Sequence, residues 1–337
     1  MPAVGKASGS EVVLKFLAAP INPSDLNLAE GTYGVKANLP AVGGNEGVAV
    51  VKEVGSGVKS LQVGDWVVPI KTPFGTWRQE AKAEENDLVK VRNDIPAAYA
   101  STLTINPATA YCLLHEFVKL QPGDVVIQNG GSSMVGQAVI QMARDMGLRT
   151  INISRFERPQ QERSLKLMTN LGGDVNVFDT YLNSADFNEV VKDLPPIKLA
   201  LNCVGGQCAT DLARALAPGG TMVTYGGMSK QPLSIPHDLL TYKQLNLRGF
   251  WIADWYATHS REEAAAMLGS IADAVHEKKL TFFYRMHDFD DFSFALAKAT
   301  EPFHNRKVVL NLDHPDRLKE HDSRPEKDYA IFDGPLN

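Results

Sequence analysis

Cysteine is scarce in this 337-residue chain, and Cys112, Cys203 and Cys208 are too few and too scattered to build a disulfide framework. That points to a reducing compartment, with all three read as small buried hydrophobes. The eight histidines include no closely spaced pair of the kind that holds a metal, so His287 and His304 read as surface or packing residues. No apolar run is long enough to span a bilayer, which argues against a membrane protein. Basic charge is not in excess either, and a formal net charge of −5 argues against a general nucleic-acid binder. The opening "MPAVGKASGS" lacks both an apolar core and an arginine-rich amphipathic pattern, so no targeting peptide is expected in it.

What is present is an ordinary globular composition, 44% hydrophobic and 22% charged, at a length suited to about two domains. In residues 1–105 the short runs "EVVLKFLAA", "GVAVVKEVG", "DWVVPI" and "DLVKV" are separated by turn signals, which favours a mostly β domain. The pattern changes at Asn106. "DVVIQN", "RTINIS", "IKLALNCVGG", "GGTMVTYGGM" and "QLNLRGFWI" alternate with helical text, as in a doubly wound parallel α/β sheet over 106–284. "SREEAAAML" opens a further helix, with Ser260 and Glu263 at capping-box spacing. A strand-like "KVVLNL" follows. The expected architecture is a β domain interrupted by the α/β domain, with the chain returning over 285–337 and ending in a charged, proline-bearing surface extension.

The segment "NGGSSMVG" turns from a strand into a helix. Val135, Val139, Met142 and Met146 recur at helical spacing, and Gly147 sits where a C-cap glycine belongs. Backbone N–H groups and the helix dipole at such a turn favour a pyrophosphate. The fingerprint is approximate, since Met134 stands where a glycine is common, and turns of this kind also serve packing alone. The second strand ends in "SRFERPQ", so Arg155 occupies the position of the acid that receives the ribose of NAD, and Arg158 follows. Guanidinium groups suit a 2′-phosphate, which points to NADPH; a solvated charge run that includes Glu157 is the alternative. Upstream, "GTYGVKANLPAVGGNEGV" sets Tyr33 between Gly31 and Gly34. On the residues alone it is either a packed aromatic or a reactive group on a turn.

Taken together, "LAAPINPSDLN", "PAVGGNEGV", "GTWR", "INPATAY", "LQPGDVVIQN", "TYGGMSKQP" and "LRGFW" resemble the mitochondrial trans-2-enoyl-thioester reductases, zinc-free members of the medium-chain dehydrogenase/reductase superfamily, over about residues 11–312. The resemblance implies a Rossmann NADPH-binding domain inserted in a GroES-like catalytic domain. It implies reduction of enoyl-CoA or enoyl-acyl carrier protein in fatty acid synthesis, a matrix location and a homodimer formed through the cofactor-domain sheets. Tyr33 falls on the family's catalytic tyrosine, and a tyrosine with its usual pKa near 10 is protonated at neutral pH and able to donate. By the same resemblance Asn106 contacts the nicotinamide end, and Ser132, Ser133, Met134 and Val135 the pyrophosphate. Arg155 and Arg158 bind the 2′-phosphate. Tyr225, Gly226, Gly227, Met228, Phe250, Trp251 and Ile252 line the cofactor and acyl cleft, and Lys307 reaches in from the returning segment. Ser24 and Asn45 take the places of the cysteine and histidine ligands of zinc-dependent members, so no metal is expected. The family's opening β-hairpin is mostly lacking. Competing readings are a zinc-free quinone oxidoreductase and a binding protein that retains the fold.

Overall fold

A computed structural model describes residues 4–157, 161–301 and 306–313; Arg158, His304 and the polar extension from residue 314 lie outside the described residues. In chain order the first strands are β1 (Glu11–Pro20), β2 (Val48–Val54), β3 (Trp66–Pro69), β4 (Glu80–Glu84) and β5 (Leu88–Val91). Next come β6 (Val125–Asn129), β7 (Arg149–Ser154), β8 (Val175–Phe178), β9 (Ile197–Asn202), β10 (Thr221–Thr224) and β11 (Asn246–Gly249). Finally β12 (Tyr284–Asp288) and β13 (Lys307–Asn311) close the series. The described residues divide into two units. One holds those up to Ile105, Ala253–Lys278 and those from Phe283 onward; the other holds Asn106–Ile252 and Lys279–Phe282.

In the first unit the sheet order is β12-β13-β1-β2-β3-β5, with β4 also paired to β1. Strand β1 is the hub. It pairs with β2 over most of its length, with β4 over Glu11–Lys15, and with β13 over Ala18–Pro20. Val12, Leu14 and Phe16 alternate into the core, and a register shift between Phe16 and Ala18 re-phases the strand so that Ala19 and Ile21 join the same core. The text of β4, "EAKAE", is made of helix formers, yet it runs as a strand because Ala81 and Ala83 alternate into the core while β1 supplies its ladder.

The sequence reading carries the α/β domain to residue 284, whereas the helix Arg261–His276 packs in the first unit against β5. Arg261 donates to the Leu88 carbonyl at 2.7 Å, and Arg92 bridges Asp94 and Asp273. The difference has a topological cause. Strand β11 is the last of its sheet, so this helix is not a crossover back to it. The expected capping box is present, with Ser260 accepting from the Glu263 amide and the Glu263 carboxylate accepting from the Ser260 amide.

In the second unit every strand is parallel, in the order β11-β10-β9-β6-β7-β8. Numbered within the unit, this is the 3-2-1-4-5-6 order of dinucleotide-binding sheets. Strands β6 and β7 are buried almost throughout, as expected when helices cover both faces. The helix Met134–Asp145 starts from Ser133, whose hydroxyl accepts from the Gly136 amide at 3.1 Å. It ends as the glycine pattern indicates, with the Gly147 and Leu148 amides donating to the Arg144 and Ala143 carbonyls. No helix among the described residues is long and apolar enough to cross a membrane.

Phe16 is fully buried at the centre of the first core and meets Phe74 edge to face at 5.9 Å. Phe16→Ala is expected to cost about 3–5 kcal/mol in urea unfolding; a loss below about 1 kcal/mol would contradict this placement of the core.

Candidate active site

The first unit builds its site from a short helix. Pro23–Ala29 is opened by Asn22 in a capping box, whose Asp25 carboxylate accepts from the Asn22 amide at 2.7 Å. The helix ends at Glu30. Gly31 follows at φ 71°, a left-handed conformation that suits glycine, and its amide donates to the Leu28 carbonyl. The Thr32 and Tyr33 amides both donate to the Asn27 carbonyl, at 2.8 and 3.1 Å. Tyr33 is therefore held by its backbone at the end of a helix, with its side chain half-buried.

Behind this helix lies a buried charged cluster. Asp25 also accepts from the Asn45 amide at 2.8 Å, and the Asn22 side chain donates to Glu46 at 2.7 Å. The second Glu46 oxygen accepts from the Thr104 hydroxyl and the Ile105 amide. Lys307, at the start of β13, donates from its ammonium to the side-chain amide oxygen Oδ1 of Asn22. Asp25 is 3% exposed, Glu46 0% and Lys307 6%, so none of the three charges is solvated. Burial pushes the Asp25 carboxyl up to about 6 and that of Glu46 up to about 7, against the lowering pull of Lys307. Burial likewise lowers the Lys307 ammonium, while both carboxylates raise it. Beside the cluster, the Ser24 hydroxyl is buried without a hydrogen-bond partner among the described residues.

The second unit gathers most of the cofactor candidates at the carboxyl ends of its strands, where open α/β sheets bind ligands. Ser132, Ser133, Met134 and Val135 follow β6, Arg155 follows β7, Tyr225, Gly226, Gly227 and Met228 follow β10, and Phe250, Trp251 and Ile252 follow β11. Asn106 is buried and opens the helix Asn106–His115. The cradle fits a dinucleotide. A Cβ on Gly136 would lie 2.5 Å from the Gly130 carbonyl oxygen, so only glycine lets the helix start this close to the turn. Arg155 is exposed, and the next residue is pinned by the Phe156 amide donating to Asp179 at 2.9 Å. Burial, with the Cys203 thiol adding to it, raises the Tyr225 hydroxyl well above its usual range and keeps it protonated. Met228 is well exposed, and the Phe250 ring stands edge-on to Phe117.

Sequence reasoning missed two groups. The first is Asp25 and Glu46, whose signal is an Asn-x-x-Asp capping spacing and an acid enclosed by glycines. The second is a pair of asparagines at the ends of β6 and β9. Asn129 donates to Asn202 at 2.7 Å and accepts from the Cys203 amide, and Asn202 donates to Thr224 on β10. Lys307 carries no signal of burial, since a lysine opening a strand is ordinarily solvated.

The alcohol dehydrogenase GroES-like domain matches residues 8–110, and the zinc-binding dehydrogenase domain matches 135–271. Joined in this order, they define a two-unit dehydrogenase or reductase of the medium-chain superfamily. The mitochondrial enoyl-(acyl-carrier-protein) reductase of Dictyostelium discoideum is 46% identical over 308 residues, covering 91% of this chain and 88% of that protein. The chain belongs to the family of mitochondrial enoyl-(acyl-carrier-protein) reductases. Among solved structures, the Etr1p/NADP/crotonyl-CoA complex is similar with a TM-score of 0.83 at 33% identity, covering 90% of this chain and 92% of that one. The Etr1p/Etr2p heterodimer of Candida tropicalis, a mitochondrial 2-enoyl thioester reductase, gives a TM-score of 0.84 at 33% identity, covering 91% and 92%.

The zinc in the second domain's name does not fit the first unit's donors. All three cysteines belong to the second unit. The oxygens of Asp25 and Glu46 are taken up by amides, a hydroxyl and a side-chain amide, and Lys307 already brings the cluster a cation.

Because Asp25 and Glu46 titrate higher in the fold than in the unfolded chain (near 4), the folded protein binds more protons between about pH 4 and pH 7. Their contribution to stability is therefore largest at the acid end of that window and is lost as pH rises through it. The charged groups facing each are the other carboxyl and Lys307. Between pH 5 and pH 8, Glu46→Gln is expected to lose less unfolding free energy than the wild type, by on the order of 1–3 kcal/mol. Identical losses in denaturant titrations at the two pH values would contradict this.

Proposed function

We propose that this chain reduces the 2,3-double bond of trans-2-enoyl thioesters with NADPH, in mitochondrial fatty acid synthesis. The observation that carries the reading is the first unit's donor set, in which Ser24 and Asn45 take the places of metal ligands and Lys307 supplies a cation, beside the loop that presents Tyr33. Without a bound Lewis acid in that place, the reaction needs an acceptor that is already activated, and a thioester-conjugated double bond is one. NADPH, when bound, supplies the hydride for the β-carbon. Tyr33 donates the proton to the α-carbon as enolate charge develops, its phenol being protonated at neutral pH.

In the second unit, Ser132 to Val135 hold the pyrophosphate on the N-terminus of a twelve-residue helix. Arg155, with Arg158 from outside the described residues, takes the 2′-phosphate. Asn106 meets the nicotinamide end, and Tyr225 to Met228 with Phe250 to Ile252 flank it. Lys307 acts from within the buried cluster of the first unit. Two copies pair through β11, which among the described strands pairs with β10 alone and exposes all four of its residues, Leu247 included, with Trp251 nearby. The enzyme works in the matrix, and its acyl group arrives on coenzyme A or acyl carrier protein.

Loss of NADPH absorbance with 2-hexenoyl-CoA, and none with a quinone, is the expected result; the reverse pattern would favour a quinone reductase, and no oxidation with either a binding protein. Tyr33→Phe is expected to lower kcat by about 10²-fold or more, and unchanged turnover would remove Tyr33 from the mechanism. Arg155→Ala is expected to raise KM for NADPH about tenfold or more while leaving that for NADH nearly unchanged. Equal effects on the two cofactors would remove Arg155 from the 2′-phosphate.

A further inference from the structure

The loop that carries Tyr33 has no helix or strand between Glu30 and Gly47, yet both of its stems are fixed to one side chain. Asp25 Oδ2 accepts from the Asn22 amide at the entry, and Asp25 Oδ1 accepts from the Asn45 amide at the exit. The exit stem is anchored again by the segment 75–77. The Gly75 and Thr76 amides donate to the Gly44 carbonyl, the Trp77 amide to that of Gly43, and the Thr76 hydroxyl to that of Glu46. Between the stems themselves, Asp25 is joined by Asn22, whose side chain donates to Glu46 at 2.7 Å, and Asp25 is the group that takes a backbone amide from each stem. The entry helix carries Tyr33 at its far end through the Asn27 carbonyl, so a shift of the helix shifts the tyrosine. We propose that Asp25 is a positioning residue for Tyr33: its carboxylate clasps the two stems of the tyrosine loop, and the Lys307 ammonium, seated through Asn22, holds the clasp in register.

This inference rests on the reading of Tyr33 as proton donor. It explains why an acid is spent inside an apolar unit: an uncharged side chain could fill the volume, but only a carboxylate takes two backbone amides from different stems on its two oxygens. It also assigns Lys307 a function at a distance. The ammonium donates to the same Asn22 whose amide Asp25 receives and whose side chain reaches Glu46. A displacement of about 1 Å at a reacting group is enough to lower turnover about 10²-fold.

The test uses the full chain with Asp25→Glu, which keeps the charge and moves the carboxylate by one methylene, and Asp25→Asn, which removes the charge. Both are compared with the wild type in steady-state kinetics and in hydrogen–deuterium exchange. The expected result is a fall in kcat of about 10- to 100-fold with KM for NADPH within about twofold. Exchange should rise over residues 31–44 while the amides of β1 and β2 remain protected. An unchanged kcat would overturn the proposal, as would unchanged exchange over 31–44. A general rise in exchange that includes β1 and β2 would also overturn it, because Asp25 would then serve the core alone. Should Asp25→Asn fail to fold, Asp25→Glu decides. If the wild type itself does not oxidise NADPH with an enoyl thioester, the functional reading fails on its own, and the exchange measurement still decides whether the clasp exists.

Discussion

An ammonium on the last described strand of the first unit lies among two carboxylates that have no access to solvent, and much of that unit is arranged to keep it there. Removing charges from water costs several kcal/mol each, and only close mutual compensation with filled hydrogen bonds makes the arrangement tolerable. The compensation is specific here. Asn22 mediates between Lys307 and Glu46, Asp25 spans two amides, and Thr104 with Ile105 satisfies the remaining oxygen. Four stretches distant in sequence are thereby fixed to one point: the helix after β1, the glycine-bounded acid, the end of the first β segment and the returning strand. A metal ion in such a place would tie side chains together by coordination. In this chain a buried network of charged groups and Asn22 does the same with hydrogen bonds.

The second unit reaches a comparable rigidity with neutral groups. Gln128, Asn152 and Asn176 form a ladder of amides across β6, β7 and β8, and the Gln128 amide also holds the Gly136 carbonyl of the fingerprint helix. Asn129, Asn202 and Thr224 form another at the strand ends of β6, β9 and β10. Hydrogen-bonded buried amides specify register without the desolvation cost of ions. The buried charged cluster thus belongs to the first unit, whereas the strand ends of the second unit's sheet are tied by neutral amides.

Much of the fold was legible because local signals agreed with the global pattern. The strand–turn–helix at 124–147, the capping box at Ser260 and the β-rich first segment all appear where their residues indicate. Strand β4 was not legible, since "EAKAE" favours a helix until β1 offers it a ladder. Strands β8 and β12 are too short and too mixed to stand out from their surroundings. The helix Arg261–His276 reads like one more crossover, and its packing on β5 rests on long-range contacts such as Arg261 with Leu88. At the site, residue types pointed to Arg155 and the glycine turn, while Tyr33 stood out only through the family resemblance. The acids behind Tyr33 escaped notice because burial is a property of the whole unit. Nothing within a few residues of Asp25, Glu46 or Lys307 announces that the three meet.

The pairing of β1 with β13 has a bearing on how the chain is made. A ribosome delivers Asp25 and Glu46 early and Lys307 only after the entire second unit has been synthesised. At ordinary elongation rates that interval is on the order of ten seconds or more. Through it the two carboxyls lack their counter-ion and β1 lacks part of one edge. A protonated or solvated opening segment is thus the natural holding state while the inserted sheet completes itself. The first-made unit is then the last to close, with Lys307 arriving as the piece that allows its acids to be enclosed.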